Sequence, residues 1–112
     1  MNNHSALANT LKALGYPRPE CEYPVPGTDR KWRFDLAWPN QKFAIECQGG
    51  IWTGGRHTRG KGYAGDCEKL NHAQLTGWQV LYVASDWWQT GEVFPLLDFV
   101  FKGKPLPTAS RK

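Results

Sequence analysis

The chain has 112 residues, with 14 Lys and Arg against 10 Asp and Glu, a formal net charge of +4 and a sequence pI near 9.1. That length allows one small domain, and 40% hydrophobic residues with 6 Trp supply a core and exclude a disordered chain. No run approaches the roughly 20 apolar residues of a membrane span, and Met1-Asn2-Asn3-His4 lacks the basic start of a secretion signal, so a cytosolic protein is expected.

In chain order, Ser5 to Leu14 places Ala6, Leu7, Leu11 and Leu14 on a helical stripe that Gly15 and Pro17 end. Glu20 to Val25 and Lys31 to Trp38 read as strands around a Pro26-Gly27-Thr28-Asp29 turn. In the second of these, Trp32, Phe34, Leu36 and Trp38 alternate with Arg33, Asp35 and Ala37. Lys42 to Gln48 alternates again, with Phe43, Ile45 and Cys47 on one face and Ala44, Glu46 and Gln48 on the other. Gly49 to Gly65 carries seven of the 12 glycines with Arg56, His57, Arg59 and Lys61 and no acid, which reads as a cationic loop. Tyr63 to Thr76 is then helical with Gly77 in a C-cap position, and Trp78 to Val83 is a short strand. Asp86 to Phe101 reads as a last helix that Pro95 starts late or kinks, and residues 102–112 as a basic tail. The expected order is αβββαβα in one continuous α/β domain spanning residues 1–112. Cys21, Cys47 and Cys67, an odd number at unrelated spacings, are expected to be free thiols.

Two carboxylates stand out, because Asp35 and Glu46 lie inside apolar segments where an unpaired charge is costly to desolvate. Their strands are joined by the short Pro39-Asn40-Gln41 turn, so antiparallel pairing would bring both acids to one edge, with Gln48 on the face of Glu46. Two hard oxygen donors suit Mg²⁺ or Mn²⁺. Such an ion beside a cationic loop is what phosphodiester hydrolysis needs, since it activates water and offsets charge on the pentavalent phosphate. Alanine at Asp35 or Glu46 is then expected to abolish cleavage and leave the fold intact. The plainer reading pairs Asp35 with Arg33 or Arg30 at a sheet surface. Asp66 reads equally as an acid favourable to a helix start, with Lys69 as its ion-pair partner, and Asn71 and His72 as helix surface. Trp32, Trp38 and Trp78 read as core, and Trp52 in the loop as a residue to stack on a base. Adjacent Trp87 and Trp88 cannot both face one core from a regular element, which points one of them towards a partner. A zinc site of Cys47, His57 and Cys67 lacks the spacing of paired Cys-x-x-Cys knuckles.

Asp35 followed by Glu46-Cys47-Gln48 resembles the metal-binding signature of the PD-(D/E)XK nuclease superfamily, with its restriction-endonuclease-like fold. Trp32-Arg33-Phe34-Asp35, Glu46-Cys47-Gln48-Gly49-Gly50, Gly55-Arg56-His57-Thr58, Asp66, Lys69 and Gly77-Trp78-Gln79-Val80-Leu81 are similar to small stand-alone members of the very-short-patch-repair and phage type, over about half the chain. The resemblance implies an αβββαβ core with a mixed sheet flanked by helices. It also implies Mg²⁺- or Mn²⁺-dependent DNA endonuclease activity in a bacterial or phage-infected host cytoplasm. Asp35, Glu46 and the Cys47 backbone carbonyl would be metal ligands, and Gln48, His57 and Lys69 catalytic. Trp52, Arg56, Thr58, Arg59 and Lys61 would face duplex or branched DNA, with Glu22 and Asp66 auxiliary. Gln48 stands where the family usually has lysine, so Lys69 or Lys61 must bring the charge, and Met1 to Tyr16 lacks the glutamate common on the first helix, leaving Glu20 or Glu22 to replace it. The rival is a nuclease-fold module that binds nucleic acid and is catalytically weak or inactive. One cleavage centre per chain means that cutting both strands takes two copies, as in a homodimer, or two binding events.

Overall fold

The computed structural model describes residues 3–48 and 61–107. Its elements are α1 (Asn3–Ala13), β1 (Glu20–Pro24), β2 (Arg33–Trp38), a 3-10 turn (Pro39–Gln41), β3 (Phe43–Gln48), α2 (Lys61–Leu75), β4 (Gln79–Ala84), α3 (Trp87–Thr90) and α4 (Phe94–Lys102). The expected αβββαβ order is present. One four-stranded sheet runs in the order β1-β2-β3-β4. The first three strands are antiparallel and β4 is parallel to β3.

Connection length explains this mixture. Pro39–Gln41 is too short for anything but an antiparallel return, and it closes through left-handed Lys42 (φ 53°), whose N–H donates to the Pro39 carbonyl at 3.1 Å. Parallel strands need a crossover, which α2 provides between β3 and β4. Gly77 (φ 97°) then turns α2 towards β4, the Trp78 amide donating back to the Ala73 carbonyl at 2.9 Å.

Each face of the sheet buries its own cluster. On one side Leu36, Trp38, Phe43, Ile45 and Val83 pack with Leu11 of α1 and Leu97 of α4. On the other, Phe34, Ala37 and Ala44 pack with Trp78 and with Ala73 of α2. Strand β3 alternates as its sequence implies, with Ile45 and Cys47 towards the first cluster and Ala44 towards the second.

β1 and β2 do not alternate regularly. Cys21 packs with the first cluster and Tyr23 with the second, although two residues along a regular strand share a face. Phe34 and Leu36 are split in the same way. Between Cys21 and Tyr23 lies Glu22 at φ 52°, a left-handed conformation that turns a strand over. The Trp32-Phe34-Leu36-Trp38 stripe expected on one face is therefore divided at Asp35.

The C-terminal region also departs from expectation. The last helix is two helices, separated by left-handed Gly91 (φ 87°), with Pro95 in the first turn of α4, where its missing N–H costs nothing. Trp87 and Trp88 both pack against the first cluster, because a single helical turn beside the sheet lets both rings reach it. Among the described residues no helix is long and apolar enough to cross a membrane. All three cysteines are free thiols.

Candidate functional site

The register lines up three acids across the sheet. Cys21 pairs with Leu36 and Tyr23 with Phe34, which sets Glu22 opposite Asp35. Leu36 pairs with Ile45, which sets Asp35 opposite Glu46 one step beyond. There the side chains substitute for ladder bonds. The Cys47 amide donates to Asp35 Oδ2 at 2.7 Å and the Asp35 amide donates to Glu46 Oε2 at 3.2 Å. In an extended strand a residue's N–H and C=O point to the same side, so the Cys47 carbonyl also faces β2.

A cation comes to this row from α2. Lys69 Nζ lies 2.9 Å from Glu46 Oε1 and also donates to the Arg33 carbonyl. Lysine and glutamate side chains are only 18% and 14% exposed, so the pair sits in a medium that screens it weakly. Burial pushes the Glu46 carboxyl above its usual range; Lys69 pulls it down and the Asp35 charge pushes it further up. Tyr82, beside Glu46 in the β3–β4 register, has its phenol raised by burial and by the charges of Glu46 and Asp66.

The other side of Asp35 carries different chemistry. His4 of α1 holds Glu22 Oε2 through Nδ1 at 2.7 Å. One ligand atom each from His4, Asp35 and Cys47 lies within 4.8 Å of the others, and among the described residues this is the one group of three or more His, Cys, Asp or Glu side chains so arranged. Burial, followed by the Asp35 charge, pushes the Cys47 thiol up to about 12, while the Trp88 indole N–H opposes this weakly. That N–H is buried and has no hydrogen-bond partner.

The structure brings together Glu22, Asp35, Glu46, Cys47 and Lys69. Gln48 closes β3 beside Ala84, half-buried. Neither arginine offered as a partner for Asp35 makes that pair, since Arg33 donates to the Glu22 carbonyl and Arg30 joins Glu68 at 3.1 Å. Lys69 pairs with Glu46 in place of Asp66, which is exposed in the second turn of α2. His72 is half-buried, with Nε2 at 2.8 Å from the Pro26 carbonyl and its ring against Trp32, and Asn71 is exposed. Trp52, Arg56, His57, Thr58 and Arg59 lie outside the described residues, as does the side chain of Lys61 at the start of α2. Sequence reasoning missed His4, Tyr82 and Trp88. Their local patterns carry no signal, and they reach the row only through the packing of α1, β4 and α3.

Comparison with protein families, with curated proteins and with solved structures finds no match to this chain.

Proposed function

We propose that the protein is a divalent-metal-dependent DNA endonuclease, a cytoplasmic member of the PD-(D/E)XK superfamily close to the very-short-patch-repair and phage type. The observation that carries this reading is the meeting of Asp35, Glu46 and Lys69 at one level of the sheet: two carboxylates on neighbouring strands and a lysine delivered from a helix. Gln48 leaves the strand without the family's usual cation, and Lys69 supplies one from α2.

The donor set fits a hard cation. Each carboxylate oxygen has two lone pairs and a backbone amide uses one on Asp35 Oδ2 and one on Glu46 Oε2, so coordinating capacity remains on both acids. Asp35 and Glu46 would hold Mg²⁺ or Mn²⁺, with the Cys47 carbonyl on the same side. Bound there, the ion supplies an activated water and charge neutralisation at the scissile phosphate. Lys69 holds Glu46 in place and adds positive charge near the phosphate, and the Gln48 amide orients water. Arg56, Arg59 and Lys61 grip the DNA backbone.

The rival, a nucleic-acid-binding module without cleavage, has one observation in its favour. Asp35 and Glu46 already accept strand amides and Glu46 already has its cation, a network that is satisfied as it stands. The deciding experiment incubates linear, mismatched, nicked, flap and four-way-junction DNA with the protein and Mg²⁺ or Mn²⁺. Cleavage that disappears with chelator and in Asp35→Asn supports the endonuclease. Binding to the same panel without cleavage supports the module.

A further inference from the structure

His4, Asp35 and Cys47 come from α1, β2 and β3, and their donor atoms converge within 4.8 Å. A nitrogen, an oxygen and a sulfur donor together do not suit Mg²⁺, which takes oxygen, but they suit Zn²⁺ and its relatives. We propose that these three side chains form a binding site for one thiophilic divalent cation of the zinc class, with Glu22 as the outer partner of the imidazole.

Three further features agree. An ionised carboxylate only accepts, so in the 2.7 Å contact with Glu22 it is His4 Nδ1 that donates, and in the neutral imidazole the lone pair then lies on Nε2. Carboxylate backing of a ligating histidine fixes its tautomer and raises its basicity. Asp35 is steadied by the Cys47 amide, so two of the three ligands are already tied to one another. Finally, the Trp88 indole N–H is buried without a bonded acceptor, and Trp88 packs against the same cluster as Cys47. Leaving a buried donor without an acceptor is unfavourable. A metal-bound thiolate is the acceptor it lacks.

On binding, the Cys47 thiol gives its proton to solvent and a sulfur–metal bond forms, with no change of oxidation state. Three protein ligands leave a fourth position for water. Glu46 is not among the converging donors. Asp35 is shared with the proposed Mg²⁺ site, whereas the His4 and Cys47 side chains belong to this site alone.

The test titrates the full chain with Co²⁺, whose tetrahedral thiolate complexes absorb in the near ultraviolet. One equivalent should produce a sulfur-to-metal charge-transfer band. Cys47→Ser should remove the band, whereas Cys21→Ser and Cys67→Ser should keep it. Glu22→Gln should weaken Co²⁺ binding about 10- to 100-fold, and His4→Ala at least as much. Zn²⁺ should displace the Co²⁺ and should raise the melting temperature of the wild type but not of His4→Ala, a readout that holds even if Cys47→Ser folds poorly. A wild type with no charge-transfer band, a band that follows Cys21 or Cys67, or unchanged affinity in His4→Ala overturns the site. None of these readouts involves DNA, so failure here and failure of the endonuclease reading are separate results.

Discussion

Asp35 and Glu46 hold the opening end of β2 and β3 together, the Asp35 carboxylate accepting from the amide beside Glu46 and the Glu46 carboxylate accepting from the amide of Asp35. The acids are strand connectors as well as candidate ligands. This argues against the expectation that alanine at either position leaves the fold untouched. Asp35→Ala orphans the Cys47 amide and should cost about 1–3 kcal/mol, whereas Asp35→Asn keeps an acceptor oxygen and should cost about 1 kcal/mol or less. Urea unfolding measures both. Equal stability of the two variants would show that the side chain is not needed between the strands. Both should lack cleavage, so Asp35→Asn is the cleaner test of metal dependence.

Glu46 provides a pH test of known sign. Its carboxyl is raised by burial, so the folded state holds the proton more tightly than the unfolded chain. Its contribution to stability is full below the unfolded pKa of about 4.3 and is lost as pH rises through the higher folded value. Glu46→Gln cannot ionise and should gain on the wild type as pH rises from about 4 through the raised folded value. Chemical denaturation of the two proteins across that window measures the difference. A gap that closes as pH rises would mean that Lys69 outweighs burial.

In the proposed endonuclease reading, Lys69 brings the charge that Gln48 lacks. Lys69→Ala should lower single-turnover cleavage more than it lowers DNA affinity, measured separately by binding. Gln48→Lys should preserve metal-dependent activity, because its ammonium would occupy the place usually held by lysine in the PD-(D/E)XK signature that the chain resembles. If Lys69→Ala cleaves at the wild-type rate once bound, its role is confined to holding Glu46 and the Arg33 carbonyl.

Arg56, Arg59 and Lys61 should contact phosphates. Neutralising any one should weaken binding nearly uniformly across DNA sequences and reduce the slope of log affinity against log salt by about 0.9 per lost contact. Three unaltered slopes would remove this segment from the interface.

Tyr16 donates to Asp98 of α4, and burial together with that carboxylate raises its phenol to about 12. A raised pKa adds stability that is present below the ordinary tyrosine value of about 10 and is lost as pH climbs from there to the folded value. The wild type should lose stability across that range relative to Tyr16→Phe. Parallel curves for the two proteins would show that the bond to Asp98 does not bind the proton more tightly in the folded state.

The sequence by itself determined the order of elements through β4, the β3 alternation and the places where α1 and α2 stop. These follow from local physics: the 3.6 and 2.0 periodicities, glycine's access to positive φ, and a turn too short for parallel return. The pair Asp35 and Glu46 was legible for the same reason, because a charge inside an apolar strand announces its own cost. Only the tertiary structure decided what surrounds the pair. Left-handed Glu22 divides the face pattern of β1 and β2 at Asp35, and no residue type at that position signals the change. Lys69 meets Glu46 across 23 residues of sequence, and His4 meets Glu22 across 18. Such contacts depend on which face of α2 and α1 packs against the sheet. That choice is made by the summed burial of Leu11, Ala73, Phe34 and Ile45, and no charged residue carries it in its own neighbourhood.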